Sequence, residues 1–321
     1  MRHEIISVIV ITYNQKNYIV ECIESILKQR TSAKLEILIG DDASKDGTGA
    51  VLDTYAKQYP DIIRLFHRKE NIGASANLRD LLERVSGDYI AFCEGDDFWT
   101  DMEKLERQRH YLKQHPEKSG CVHGIYLVDE NGNLLQNQQI QWIHLQKIFR
   151  LKDFGLTRFP GHLSSLMIHN DDNWEKLDKT LLLCDRNKSD LILFLMVLRI
   201  GDIGALDQKM SAYRFVRSKE GSNVSSQLYH KYLGDCVPRM KMWISMERWL
   251  QNPKGLRGMF IDAQSQILVT AVFHKLKGYP LSIKEVWALC THKKMAIAYL
   301  PKAFAERLIQ KGQILMGLKI R

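Results

Sequence analysis

The chain has 321 residues, of which 45% are hydrophobic and 26% charged, an ordinary composition for a folded globular protein that excludes disorder as its main state. Its six cysteines are scattered without a C-x-x-C pair, which excludes a disulfide framework or cysteine zinc site and predicts reduced thiols. The net charge of +9 is concentrated near the end, where residues 238–321 hold 15 Lys or Arg and 4 Asp or Glu.

The first part of the chain alternates between strand and helix patterns. Short runs rich in Ile, Val and Leu are each followed by a segment with apolar residues at helical spacing. This alternation predicts an α/β fold, with a mostly parallel sheet and crossover helices on its faces. The predicted strands cover residues 5–12, 35–39, 62–66 and 89–93, and the predicted helices cover 17–28, 49–59, 75–85 and 101–114.

The remainder of the chain has a less regular pattern. Residues 121–135 predict a hairpin that turns at 130–133. We expect a first domain over residues 1–227, with halves at 1–115 and 116–227, and a basic helical region over 228–321. The elements predicted within these parts are an apolar helix over 190–199, a strand near 205–213, a polar loop over 217–227 and helices only from 228.

The ends of the chain bear on where the protein acts. Residues 1–4 lead straight into the first strand, so no secretory signal is visible. No apolar stretch approaches the ~20 residues that a membrane-spanning helix needs. We expect a cytoplasmic protein whose basic C-terminal helices contact the inner face of the plasma membrane, with a homodimer interface or a solvated surface as alternatives. The side chains expected to serve at either interface are Trp243, Met246 and Trp249.

Two acidic clusters follow predicted strands. Asp41 and Asp42 come after the second strand, and the Glu-Gly-Asp-Asp sequence at 94–97 comes after the fourth. Ligands of open parallel sheets bind beyond the carboxyl ends of the strands, so both clusters and the loop at 12–14 are expected to share one crevice. Hard cations such as Mg²⁺ and Mn²⁺ bind carboxylate oxygens and leave positions for phosphates. The pattern therefore predicts an enzyme that binds a sugar nucleotide through a metal.

Each acidic cluster also has a structural interpretation. The first fits a turn followed by a helix cap, and the second fits a solvated loop. The chain contains neither G-x-G-x-x-G after the first strand nor G-x-x-x-x-G-K-[ST], which argues against a dinucleotide cofactor and a P-loop.

The chain resembles glycosyltransferase family 2 in four motifs, which stand in that family's order and spacing: SVIVITYN at 7–14, IGDDASKDGT at 39–48, NIGA at 71–74 and GDYIAFCEGDDFW at 87–99. The resemblance is strong over residues 5–115, thinner from there to about 216, and absent from the C-terminal helices. It implies a GT-A fold and an inverting, metal-dependent transfer from a nucleotide-diphosphate sugar, with a UDP-sugar as the expected donor. The implied acceptor is a polysaccharide or a lipid-linked oligosaccharide of the cell surface, such as capsule or O-antigen.

The resemblance also implies a donor site and a metal site. Asp41 would accept a hydrogen bond from the nucleobase, and Asp96 would be the principal carboxylate on Mn²⁺ or Mg²⁺. Glu94 stands where the family more often has Asp, so a contact to the ribose or through water stays open, as does metal binding by Asp97. The other residues expected at the donor are Thr12, Tyr13, Asn14, Asp42, Asn71 and Gly73.

An inverting displacement needs a base that takes the proton of the acceptor hydroxyl. Relatives carry an acidic residue at the start of an apolar helix, which is Asp190 here; helix capping is its alternative role, and Asp185 is the alternative base. Arg214 is expected either to bind the leaving diphosphate or to form a structural ion pair. None of the 11 histidines is assigned to a metal, because their spacing shows no ligand pattern. The residues expected to line the sugar or acceptor pocket are His162, Ser164 and Ser165.

Two other functions stay open at this point. Nucleotidyl transfer onto a sugar phosphate would need a glycine-rich, basic loop after the first strand, and the chain lacks one. A non-catalytic polyanion-binding protein would use the basic C-terminal region. No known nucleic-acid-binding module is visible, however, and we expect no nucleic acid partner.

Overall fold

The computed structural model describes residues 3–136, 143, 146–155, 158–215, 236–251, 256–276 and 282–315. Contacts divide the chain into two compact units. The first contains the described parts of Met1–Gln136, Ile143–Leu151 and Phe159–Arg217, and the second contains those of Lys152–Arg158 and Ser218–Arg321. The polar loop predicted over 217–227 and the domain boundary predicted after it lie outside the described residues.

The first unit contains the predicted alternation of strands and helices, with bounds that agree to within a few residues. Its strands are β1 (Ile5–Thr12), β2 (Lys34–Asp41), β3 (Ile63–His67), β4 (Tyr89–Glu94), β5 (Phe98–Trp99), β6 (Lys118–Val128), β7 (Ile148–Phe149), β8 (Met167–His169) and β9 (Asp202–Arg214). Its helices are α1 (Ile19–Leu27), α2 (Thr48–Gln58), α3 (Ala74–Leu82), α4 (Lys104–Gln114), α5 (Asp172–Glu175) and α6 (Ser189–Ile200).

These strands form one sheet in the order β3-β2-β1-β4-β8-β6-β9-β5, with β7 paired to β9. The half formed by β1, β2, β3 and β4 is parallel, whereas β8 runs antiparallel to both β4 and β6. The central strand β1 is buried from Ile6 to Thr12, as expected for a parallel strand covered on both faces. The expected α/β fold is therefore confirmed, with a mixed rather than parallel second half.

The register of the parallel strands decides which loops meet. Thr12 at the end of β1 lies opposite Asp41 on β2, and Ile11 lies opposite Glu94 on β4. Parallel strands end at the same edge of a sheet, so the loops that follow β1, β2 and β4 begin side by side. The two acidic clusters that follow β2 and β4 consequently lie at one edge of the sheet.

The hairpin predicted over 121–135 is one long strand followed by a turn. β6 ends at Val128, which forms a single bridge with Leu134. The side chain of Asp129 accepts the backbone N–H groups of Asn131 and Asn133 and so fixes the turn. The main pairing of β6 is instead parallel, with β9.

From Cys236 onward the described residues of the second unit form only helices, as predicted for the chain from residue 228. The aromatic ring of Trp243 packs edge-on to that of Phe260, with ring centroids 5.7 Å apart. Trp243 and Met246 are fully buried, so the expectation that they serve at a membrane or dimer interface is wrong; both belong to the core of this unit. No helix in the described ranges combines the length and the apolar character needed to cross a bilayer. The helices are α7 (Cys236–Trp249), α8 (Arg257–Leu276), α9 (Ile283–Leu289) and α10 (Lys293–Leu315).

Candidate active site

The loops after β1 and β4 are in direct contact, and a glycine makes this possible. A Cβ atom at Gly95 would lie 2.4 Å from Oε1 of Gln15 and 2.8 Å from Oγ1 of Thr12, so a larger residue would force the loops apart. Thr12 Oγ1 donates to Gln15 Oε1 at 2.7 Å, and the Gln15 side chain is hydrogen-bonded to Asp96. Thr12 therefore acts on the acidic loop through Gln15, a residue that sequence analysis did not single out.

The loops after β1 and β2 are also tied together, through Asn14. This residue has a positive φ of 53°, a conformation that Asn tolerates better than most residues. Its backbone N–H donates to Ser44 Oγ at 2.9 Å, and its Oδ1 accepts the backbone N–H of Lys45 at 2.8 Å. The preceding residue, Tyr13, is half-buried. Asn14 thus holds the β1 loop in register with the Asp41 loop.

Asp41 is buried, with 3% of the residue exposed. Its Oδ1 accepts the backbone N–H of Ser44 at 3.2 Å, and its Oδ2 lies 3.0 Å from Nδ1 of His67. Both carboxylate oxygens therefore have protein partners that set the orientation of the group.

Asp42, unlike Asp41, binds the loop of residues 71–73. Its two carboxylate oxygens accept the backbone N–H groups of Ile72 and Gly73, at 2.7 and 2.8 Å. The same loop is held from its other side by Arg186, whose guanidinium donates to the carbonyl of Asn71 at 2.6 Å. Asp42 therefore holds Ile72 and Gly73, and Arg186 holds Asn71, so the loop that was expected at the donor is fixed from both sides.

Glu94, Asp97 and His162 form a cluster that can hold a metal ion, with one ligand atom of each lying within 4.8 Å of the others. His162 Nε2 is 3.3 Å from Glu94 Oε2, and His162 Nδ1 is 3.3 Å from Asp97 Oδ2. Asp96, the expected principal ligand, is not one of the three residues of this cluster; it precedes Asp97 in the same loop and is 7% exposed, and its role as a ligand stays a prediction. Two or three carboxylates with an imidazole are a donor set that fits Mn²⁺, whereas Mg²⁺ prefers oxygen ligands alone.

The ionisation of this cluster agrees with a site for a cation. Burial raises the pKa of Asp97 to about 7; burial and then the charge of Asp97 raise that of Asp96 to about 7. The pKa of Glu94 is also raised, by burial and by the charges of Asp97 and Asp96. Burial lowers the pKa of His162 to about 4, so its imidazole is neutral at physiological pH. A bound cation would restore the ionised form of all three carboxyl groups.

Ser164 hydrogen-bonds to all three residues of this cluster. Its Oγ donates to Asp97 Oδ2 at 2.5 Å and accepts the backbone N–H of Glu94 at 3.1 Å. Its backbone N–H donates to His162 Nδ1 at 3.3 Å, and its carbonyl accepts the indole N–H of Trp99 at 3.1 Å. Ser164 and Ser165 are fully buried, so the expectation that their side chains line the sugar or acceptor pocket is wrong. Ser164 instead supports the candidate metal ligands from behind.

Asp190 acts electrostatically on the same cluster. It lies in the first turn of α6, whose N-cap is Lys188, so the alternative role of capping this helix does not hold. Its negative charge contributes to the raised pKa of Glu94, and it opposes the lowering of the pKa of His162. Asp190 is therefore close enough to act electrostatically on two candidate metal ligands.

The carboxylate of Asp185, the alternative base, is hydrogen-bonded to backbone N–H groups. Its Oδ1 accepts the N–H groups of Asn187 and Lys188 at 2.8 and 3.0 Å, and the residue is 7% exposed. These contacts give it a structural role at the start of α6.

Arg214 lies at the end of β9 and is 2% exposed. Its Nε donates to the carbonyl of Asp96 at 3.0 Å, its backbone N–H donates to Asp97 Oδ1 at 3.1 Å, and its Nη2 pairs with Glu21 at 2.5 Å. These contacts match the structural ion pair, one of the two roles expected for this residue. Binding of the leaving diphosphate by Arg214 stays a prediction.

Comparison with known proteins gives a family match over this region. A family model described as "Glycosyl transferase family 2" matches residues 7–172, just over half of the chain. An uncharacterised protein of Mycobacterium bovis is 44% identical over 126 residues, which is 39% of this chain and 36% of that protein. The Bacillus subtilis protein named as the teichuronic acid biosynthesis glycosyltransferase TuaG is 28% identical over 220 residues, which is 68% of this chain and 82% of that protein. The chain thus spans little more than a third of the Mycobacterium protein.

Two solved structures have the same fold. S. aureus TarS 1-349 in complex with UDP is 16% identical, with a TM-score of 0.52 over 96% of this chain and 92% of that chain. The mannosyltransferase PcManGT from Pyrobaculum calidifontis, in complex with GDP-Man and Mn²⁺, is 16% identical, with a TM-score of 0.51 over 97% and 89%. At this level of identity the likeness establishes the fold alone.

Proposed function

The chain belongs to glycosyl transferase family 2, and from this premise we propose that it transfers a sugar, with inversion, from a nucleotide-diphosphate sugar to a hydroxyl of a cell-surface glycan. The observation that carries the proposal is that the loop after Asp41 and the loop containing Asp96 both hydrogen-bond to the loop after β1, at the edge of the sheet where β2 and β4 end. The charge of Asp190, in the first turn of α6, acts on Glu94 of the same cluster. A UDP-sugar is the expected donor, in line with the UDP held by the TarS structure.

Two groups of residues would hold the donor. Asp41 would accept a hydrogen bond from the nucleobase, with Thr12, Tyr13 and Asn14 on the neighbouring loop beside the nucleoside. The loop from Asn71 to Gly73, held by Asp42, would complete this side of the site.

A divalent metal would be held by the cluster of Glu94, Asp97 and His162 described above. Asp96, between Glu94 and Asp97 in sequence, would join them as the carboxylate that the resemblance makes the principal ligand. When bound, Mn²⁺ or Mg²⁺ supplies positive charge that offsets the negative charge of the leaving diphosphate. Ser164 keeps Asp97 and the backbone of Glu94 in place, so the ligands need little rearrangement.

Asp190 would be the general base. It would accept the proton of the acceptor hydroxyl while the hydroxyl oxygen attacks the anomeric carbon and the bond to the diphosphate breaks. Attack from the face opposite the leaving group inverts the configuration of that carbon. Asp190 suits this role because its backbone belongs to the buried helix α6, while the side chain acts on the cluster beside the donor.

The proposed acceptor is a polysaccharide or a lipid-linked oligosaccharide of the bacterial surface. Support comes from the similarity to TuaG, which is named for teichuronic acid biosynthesis. A lipid-linked acceptor would place the protein in the cytoplasm at the inner face of the plasma membrane, and we propose that a surface of α10 would make the contact.

That surface is an exposed apolar face of α10, formed by Ile297, Phe304 and Leu308, which are 54%, 40% and 54% exposed. An adjacent face of the helix carries Ala296 and Ala303, which are buried within the second unit. The helix begins at two exposed lysines, and residues 238–321 hold 15 Lys or Arg against 4 Asp or Glu. An apolar face with surrounding positive charge fits an anionic lipid surface. A homodimer interface is the alternative use of this face.

Release of nucleoside diphosphate from UDP-, GDP- and dTDP-sugars in the presence of Mn²⁺ tests the proposed activity. We expect release from a UDP-sugar that EDTA abolishes and that a glycan acceptor accelerates. If the protein instead released pyrophosphate from a nucleoside triphosphate and a sugar phosphate, and turned over no sugar nucleotide, it would be a nucleotidyltransferase and the proposed activity would be wrong.

A further inference from the structure

Three side chains form a hydrogen-bonded chain that leads away from Asp41. Nδ1 of His67 lies 3.0 Å from Asp41 Oδ2, and Nε2 of the same ring lies 2.9 Å from Asp53 Oδ1. His67 and Asp41 are register partners at the ends of β3 and β2, and Asp53 belongs to α2. One imidazole therefore links two strand ends and a helix. Neither His67 nor Asp53 has been assigned to the donor, the metal or the acceptor above; His67 has appeared only as a hydrogen-bond partner of Asp41.

The close approach of these elements depends on a glycine in α2. A Cβ atom at Gly49 would lie 3.0 Å from Asp41 Oδ2 and 3.2 Å from Cε1 of the His67 ring. These are tighter than ordinary van der Waals contacts, so the helix packs against the pair as closely as its backbone allows. The side chain of Asp41 is only 4% exposed, whereas His67 is 43% and Asp53 is 53% exposed.

The charges of the two carboxylates stabilise the protonated imidazole of His67 between them. An imidazole with a carboxylate at each nitrogen donates to both when it is protonated and to one when it is neutral. Partial burial disfavours the charge of His67, but the hydrogen bonds and charges of Asp53 and Asp41 raise its pKa above the ordinary value. Oδ1 of Asp41 accepts the backbone N–H of Ser44, so each oxygen of this carboxylate is held by a different donor.

We propose that His67 is a positioning residue for nucleobase recognition: it fixes the orientation of Asp41, and Asp53 in turn fixes the ring of His67. This inference rests on the proposed function, in which Asp41 accepts a hydrogen bond from the base. A carboxylate that cannot rotate favours bases with a ring N–H, such as uracil, and disfavours cytosine, whose ring nitrogen is an acceptor. His67 thereby contributes to the selectivity for the donor nucleotide.

The test compares His67→Asn with His67→Gln. The amide nitrogen of Asn falls near the position of Nδ1, so it can still donate to Asp41, whereas that of Gln falls near Nε2 and faces Asp53. A role in packing alone would treat the two variants alike. Calorimetry with Mn²⁺ measures the dissociation constants of UDP and CDP for both variants, and thermal melting compares their stability.

We expect His67→Asn to bind UDP within about threefold of the wild type, and His67→Gln to bind it about tenfold more weakly, the loss of one charged hydrogen bond. CDP affinity stays the same, so discrimination between UDP and CDP falls only in the Gln variant. With a donor sugar, KM rises and kcat at saturation does not change. Asp53→Asn, which keeps the bond between His67 and Asp41, changes UDP affinity by no more than about threefold.

Two results would overturn the inference: one would leave the proposed function standing, and the other would refute it as well. Equal UDP binding by the wild type, His67→Asn and His67→Gln would refute the positioning role while leaving the proposed function intact. Failure of the wild type to bind UDP, GDP and dTDP alike would refute both.

Discussion

Nε2 of His162 lies 3.3 Å from Oε2 of Glu94, although Glu94 ends β4 and His162 lies 68 residues further along the chain, in the turn before β8. Burial keeps the imidazole neutral at physiological pH by lowering its pKa to about 4, and its one nitrogen lone pair, at Nδ1, accepts the backbone N–H of Ser164. In the proposed metal site this nitrogen would bind the ion in place of the N–H group, and so add an imidazole to ligands that sequence motifs describe as purely acidic. His162 therefore bears on which metal the site prefers.

We predict that His162→Leu weakens Mn²⁺ binding by about tenfold to a hundredfold, because one ligand and its hydrogen-bonded support are lost. Mg²⁺ binding should change less, since that ion relies on oxygen ligands. Calorimetric titration with both metals checks this, and His169→Leu is the matched control because His169 lies opposite Tyr89, at the other end of β4. Unchanged Mn²⁺ affinity in a folded His162→Leu variant would remove this residue from the site.

Asp190→Asn should lower kcat by about a hundredfold to ten-thousandfold, the usual contribution of a general base. The KM for the donor should stay close to the wild-type value, because the side chain is assigned to the acceptor proton. Steady-state kinetics with a donor and a glycan acceptor measure both constants.

Asp185→Asn is the control for this variant. Asp185 accepts backbone N–H groups at the start of α6, so its substitution should lower the melting temperature and leave kcat within about threefold, since a lost hydrogen bond of this kind affects stability. If Asp185→Asn abolished turnover while Asp190→Asn retained it, the assignment of the base would be reversed.

The elements of the first unit were predictable from sequence because their signals are local. The apolar run from Ile5 to Thr12 and the helical spacing after it depend only on neighbouring residues, and so do the acidic motifs at strand ends. The family motifs also indicated that Asp41 and Glu94 lie at one edge, since parallel strands end together.

What could not be predicted depends on contacts between distant parts of the chain. His162 joins Glu94 and Asp97 only because β8 inserts beside β4 and brings the preceding turn to the acidic loop. No spacing rule along the chain reports such a contact. The supporting role of Ser164 and the link between His67 and Asp41 have the same origin.

Lys104 should make the stability of the protein depend on pH. It is fully buried, its Nζ lies 3.8 Å from the centroid of the Trp99 ring, and that nitrogen has no hydrogen-bond partner among the described residues. Burial lowers its pKa to about 7, whereas an unfolded lysine keeps its proton to about pH 10.4. Between these values the unfolded chain binds more protons, so this residue makes stability rise with pH, by at most about 1.4 kcal/mol per unit.

Lys104→Met removes this contribution. We expect the variant to be more stable than the wild type at pH 7, and the difference to shrink as the pH rises toward 10. Urea unfolding at several pH values measures the free energy of unfolding of each protein. Lys113→Met, at an exposed position of the same helix, is the control and should show no such trend. If the free energy of unfolding changed with pH in the same way in the wild type and in Lys104→Met, the lowered pKa of Lys104 would be contradicted.

Binding to anionic vesicles should depend on the exposed face of α10. Ile297→Glu combined with Leu308→Glu should reduce flotation with phosphatidylglycerol vesicles about tenfold, because apolar contact area is replaced by negative charge. The control is Leu183→Glu, at an equally exposed leucine of the first unit. A wild-type protein that does not float, but dimerises through a contact broken by the same pair of substitutions, would assign this face to self-association.

Calorimetry of UDP binding with and without Mn²⁺, in the wild type and in Asp96→Ala, tests the metal-assisted donor site most directly. We predict binding that requires Mn²⁺ in the wild type and is weakened about a hundredfold or more in Asp96→Ala, since the variant loses a metal carboxylate. Asp101→Ala, which removes a surface partner of Arg107 close by in sequence, should bind UDP as the wild type does. UDP binding of equal strength in the absence of metal, or in Asp96→Ala, would contradict the account.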